Sequence, residues 1–170
     1  MRKTAMTKDL HINNLIGYKD VELSISHANE GWESKEFIEW LATMSSMLYI
    51  ELHLMLHLTI NTPLLVKVDI NNPQLVDVMF GVSEELSVDN TKDIGKELII
   101  NSNIKKDNLL YAKRDLPVEV DWEVYKEDLL KTIDEKNITK LDIKNIYITF
   151  VDSIYAKGYY QIEFYVELYD

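Results

Sequence analysis

A chain of 170 residues with 46% hydrophobic and 28% charged residues has ordinary globular composition, which excludes a disordered, collagen-like or coiled-coil protein and fits one domain, 1–170. Eighteen Lys and Arg against 29 Asp and Glu give a net charge of −11, a surface that repels a phosphate backbone and argues against direct nucleic-acid binding. The absence of Cys removes disulfides, thiolate nucleophiles, iron–sulfur clusters and Cys-ligated zinc.

The basic start from Met1 to Leu10 is interrupted by Lys8 and Asp9, and Asn13 follows, so it lacks the apolar run of a secretory signal. The longest oily stretch, Met44 to Ile60, is broken by Glu51, His53 and His57 and falls short of the roughly 20 apolar residues a spanning helix needs. A cytoplasmic protein with no membrane segment is expected. Val21, Leu23 and Ile25 alternate with Glu22, Ser24 and Ser26, the period of a half-buried strand. Ser34 then caps a helix with Phe37, Trp40, Leu41 and Met44 on one stripe. From Leu48 to Ile60 every even position is aliphatic, which predicts a strand; the helix propensity of Leu supports the rival reading, one helix from Ser34 through His57.

Asn61-Thr62-Pro63 supplies a turn into a strand at Leu64–Ile70, expected to pair back on its predecessor. Asn72 and Pro73 read as an N-cap and first-turn proline, predicting a helix through Leu75, Val76, Met79 and Phe80 to about Leu86. A polar loop, Ser87 to Lys96, leads to a short strand at Glu97–Ser102 and an irregular segment from Asn103 to Pro117. Asp121 caps a helix carrying Trp122, Val124, Tyr125, Leu129 and Ile133, with acidic residues early and Lys131 late, as the helix dipole favours. Two strands, Ile146–Val151 and Tyr160–Leu168, form a C-terminal hairpin with Ile162, Phe164, Val166 and Leu168 toward the core and Gln161, Glu163, Tyr165 and Glu167 on the wetter side. No internal repeat is visible. The sum is an α+β fold, a mainly antiparallel sheet of five to six strands with two to three helices packed on one face.

Motifs for chemistry are sparse. His53 and His57, with Glu51 nearby, have the spacing of two metal ligands, but Leu54 stands where a zincin carries its Glu, so two partly exposed imidazoles on a polar face explain them as well. The segment Asp89 to Gly95 has acidic spacing but places its Gly too late for a calcium loop. No nucleophile elbow or phosphate-cradling glycine cluster occurs, and no cofactor is implied. The paired carboxylates Glu84-Glu85, Asp121 with Glu123, and Glu127-Asp128 fit solvated helix faces unless they converge in a cleft. Tyr147 and Tyr165 suit an interface, as well as simply suiting strands.

With no reaction centre in view, binding is favoured over catalysis. The leading expectation is a non-enzymatic inhibitor, immunity- or antitoxin-like, that neutralises a basic partner such as a nuclease toxin. Asp121, Glu123, Glu127 and Asp128, with Glu84 and Glu85, would meet its Lys and Arg, and Trp122 or Tyr165 would anchor it. The alternative is a small-molecule or peptide-binding regulatory domain with an apolar pocket lined by Trp32, Trp40, Met44 and Met47. A metal hydrolase built on Glu51, His53 and His57 ranks last.

Overall fold

A computed structural model describes residues 6–23, 32, 36–85, 98–117, 127, 131, 142–150 and 159–169. Among the described residues six strands form: β1 (Thr7–Glu22), β2 (Leu64–Val68), β3 (Leu75–Gly81), β4 (Leu98–Pro117), β5 (Ile143–Phe150) and β6 (Tyr159–Leu168). They hydrogen-bond in the order β1-β3-β2-β5-β6-β4, every pair antiparallel, and β4 returns to β1 to close a barrel. Between β1 and β2 lies α1 (Phe37–Tyr49), which widens into a π-helical turn over Ile50–Met55. Among the described residues no helix is long and apolar enough to cross a membrane.

This architecture corrects the expected α+β layer. A closed sheet has no free edge and buries both faces, and among the described residues α1 with its π turn is the helix present rather than two or three on one face. Over 48–55 the expected strand is instead the end of that helix, and 56–60 is non-helical chain with an isolated bridge from Ile60 to Val82. Leu48 and Leu52, one turn apart, are fully buried, whereas Leu54 and Met55 are exposed, so helix propensity and a four-residue burial period override the even-position row. The expected helix after Asn72-Pro73 is β3. Asn72 donates its backbone N–H to the Asp69 carbonyl at 3.1 Å, placing the Asn-Pro pair in a turn, and Val76 and Val78 each stand between register partners on β1 and β2. The segment read as irregular, 103–117, lies inside β4. Glu127 and Lys131 are helical and exposed; the rest of the helix expected over 121–133 lies outside the described residues.

On the outer face of the barrel, Val66, Val78, Ile148 and Phe164 pack with Phe37, Leu41 and Leu48 of α1, with Leu52 of the π turn and with Trp32. The opposite row, with Leu10, Leu15, Leu65, Met79, Tyr111, Tyr147 and Tyr165, forms a second cluster to which all six strands contribute. That row lines the lumen. Gly17 sits where β1 crosses β3, and a Cβ there would stand 2.0 Å from the Val78 carbonyl oxygen, so only Gly permits the approach.

Bulges bend the long strands: β1 shifts register at Asp20 (φ 51°), and a matched pair of bulges lies elsewhere in β1 and β4. Asn14 (φ 54°) in β1 and Asn108 (φ 56°) in β4 both take the left-handed conformation. Each is held by the other strand. The Asn14 N–H donates to Asn103 Oδ1 and the Asn108 N–H to Asp9 Oδ1, both at 2.9 Å. After each bulge the luminal side chains pass from even to odd positions, from Ile12 to Leu15 in β1 and from Ile104 to Leu109 in β4. The strand order shows the same doubling, since β1-β3-β2 is matched by β4-β6-β5 across the barrel. The internal repeat absent from the sequence reading is therefore present in the topology.

Candidate functional site

Register pairs place one row of side chains around the inside of the barrel. Tyr111 of β4 stands opposite Tyr165 of β6, which stands opposite Tyr147 of β5; Tyr147 faces Lys67 of β2, and Lys67 faces Asp77 of β3. The side-chain period of two carries all five to the luminal face. The Tyr111 and Tyr165 rings are 5.2 Å apart and tilted, a favourable aromatic contact.

Below the tyrosines Glu163 is 8% exposed. Its Oε2 accepts the Tyr165 hydroxyl at 2.8 Å and the Lys8 ammonium at 3.0 Å. Lys8 also lies over the Tyr111 ring, 4.9 Å from its centroid. Burial pushes the Glu163 carboxyl up, but the hydrogen bonds from Tyr111, Tyr165 and Lys8 and the Lys8 charge outweigh it and hold the group below the usual carboxylate range. The Tyr165 phenol is driven far up by burial and by its bond to Glu163, and Tyr147 by burial and the charges of Glu167 and Asp77. Both therefore remain neutral donors. The Thr149 hydroxyl, opposite Glu163 in the register, is buried without a hydrogen-bond partner among the described residues.

Above the tyrosines the lumen opens into a chamber of about 450 Å³ to which every strand contributes a side chain, among them Lys19, Lys67, Asp77, Lys106, Tyr147 and Glu167. Met79 and Ile104 add apolar wall. Glu167, 8% exposed, is paired with Lys106 at 2.9 Å and accepts from Asn145 at 2.8 Å. Burial raises its carboxyl, and these bonds with the nearby lysines bring it below the ordinary value. Asp77 goes the other way: burial raises it, and neither the Asp20 N–H it accepts at 2.8 Å nor Lys67 restores it.

The residues singled out in the sequence fall elsewhere, with two exceptions, Tyr147 and Tyr165. Tyr165 is at the heart of the luminal row and buried, so it offers no ring to a docked protein. Glu84 accepts the Thr59 backbone N–H at 2.8 and 3.0 Å, fixing the chain after the π turn, and that bonding lowers its carboxyl; Glu85 and Glu127 are exposed. Asp121, Trp122, Glu123 and Asp128 lie outside the described residues. Trp32 is core and Trp40 and Met44 pack partly buried against that core, while Met47 is exposed, and none of the four lines the luminal chamber. His53 and His57 are both exposed, His53 beside the Tyr49 ring. The chamber's lysines and Asp77 carried no local signal, because they converge from strands far apart in sequence.

No family model matches the chain, and no curated protein matches it by sequence. Among solved structures it is similar to that of SAV2435 bound to tetraphenylphosphonium, with a TM-score of 0.53 over 96% of this chain and 94% of that one at 11% identity. At that identity the likeness is one of fold.

Proposed function

We propose that the chain is a non-enzymatic small-molecule-binding regulatory domain of the cytoplasm whose ligand lodges inside the barrel, against Tyr147 and Met79. The observation that carries this reading is the luminal chamber, at about 450 Å³ within the volume range of ligand sites and lined by the Tyr147 ring, Met79 and Ile104 among charged and polar side chains. Buried Tyr147 and Met79 give a ligand a wall whose rotamers packing already fixes. The similar fold of SAV2435, solved with an aromatic organic ion, supports uptake of such molecules by this architecture. The test is a thermal-shift screen of aromatic organic anions and cations, tetraphenylphosphonium included, on the parent and on Tyr147→Ala. Members that raise the parent's Tm and leave the variant's unchanged are expected; a panel that moves neither contradicts the reading.

A second reading, an immunity- or antitoxin-like inhibitor of a basic protein, is supported by the exposure of Glu85 and Glu127 on a chain of net charge −11. It predicts association slowed by salt and by charge reversal at Glu127; a rate indifferent to both opposes it.

A further inference from the structure

The chamber's charge is opposite to that of the protein around it. Four lysines, Lys19, Lys67, Lys106 and Lys144, line it against two carboxylates, Asp77 and Glu167, in a chain whose net charge is −11. Of the four, Lys106 is neutralised by Glu167. Among the described residues Lys19, Lys67 and Lys144 form no ion pair within 4 Å, although all three open on the same space. Ammonium groups gathered in a recess with fewer carboxylates repel one another, and the repulsion is relieved when an anion arrives between them. Lys67 adjoins the Tyr147 ring in the register, so a charged head at Lys67 leaves an attached apolar body against Tyr147 and Met79.

We infer that the chamber takes an organic anion with an aromatic or apolar body, its carboxylate, sulfonate or phosphate held by Lys67 with Lys19 and Lys144 at the rim. The inference rests on the chamber reading above and adds the sign of the ligand's charge. That sign is the reverse of the phosphonium found with SAV2435.

Biphenyl-4-carboxylate and biphenyl-4-methylammonium share a body and differ in the charge at one end. Calorimetric titration of the parent should give the carboxylate a Kd lower by about tenfold or more, the size of one charge-assisted hydrogen bond. Lys67→Gln should weaken the carboxylate by a similar factor. The double variant Lys19→Gln/Lys144→Gln changes two exposed residues, and should weaken it several-fold and flatten its salt dependence. Equal or tighter binding of the ammonium compound overturns the anion assignment and leaves the chamber reading standing. Binding of neither compound overturns both.

Discussion

Tyr165 donates its hydroxyl to Glu163 at 2.8 Å across one intervening residue of β6, so donor and acceptor enter the barrel from the same face of one strand. Lys8 meets the same oxygen from β1, two strands away, and only a strongly curved sheet brings those strands so close. The network thus fastens the wall of the barrel across β4, which lies between them.

Tyr165→Phe removes one bond to a buried carboxylate and should cost about 1–3 kcal/mol in urea unfolding at pH 7. Glu163 and Glu167 both sit below their ordinary value of 4.5 in the folded protein. Their contribution is therefore complete above about pH 4.5 and is lost as pH falls through the folded values. Stability should decline on acidification below that point, and Glu163→Gln should show a shallower decline than the parent. Equal slopes for parent and variant would remove Glu163 from the account.

Asp77 has the opposite linkage, because burial raises its carboxyl above 3.8. Ionising it is harder in the folded chain than in the unfolded one, so stability is lost as pH rises through the folded value. Asp77→Asn keeps an oxygen for the Asp20 N–H and should show a higher unfolding midpoint at pH 7. The difference should vanish near pH 3, where the parent carboxyl is protonated in both states. A variant less stable than the parent at pH 7 would show that the attraction of Lys67 outweighs burial.

Leu52 and Leu54 separate the helix from the strand reading of 48–60. In the structure Leu52 is fully buried and Leu54 is 62% exposed. Leu52→Ala should cost about 2–5 kcal/mol and Leu54→Ala less than about 0.5 kcal/mol. Similar losses at both positions would restore a strand with the two on one face.

Three strands and the start of a fourth were legible in the sequence: Leu64–Val68, Ile143–Phe150 and Tyr159–Leu168 are short runs rich in β-branched and aromatic residues, and the strand expected at Glu97–Ser102 opens β4. Closure was not. In an open sheet Glu163, Tyr165 and Glu167 would meet water, as their alternation suggests; in a barrel the same row is buried and becomes the lumen. The body of β1, and β4 beyond Ser102, were hidden by the phase shifts at Asn14 and Asn108, which break the period of two. Asp9 with Asn14 and Asn103 with Asn108 share one spacing, the trace in sequence of the doubling that topology displays. Tyr147 and Tyr165 were noticed as candidate contact residues, but nothing local tied them to Lys67 and Asp77, which reach them only through strand pairing.

The methionines offer the most direct test of a ligand inside the barrel. Met79 faces the chamber at 3% exposure, whereas Met47 and Met55 stand on the outer helix at 45% and 65%. With methyl-labelled methionine, titration of biphenyl-4-carboxylate followed by NMR should move the Met79 resonance and leave Met47 and Met55 in place. Shifts at Met47 or Met55 with Met79 unmoved would put the ligand on the outside and contradict the account.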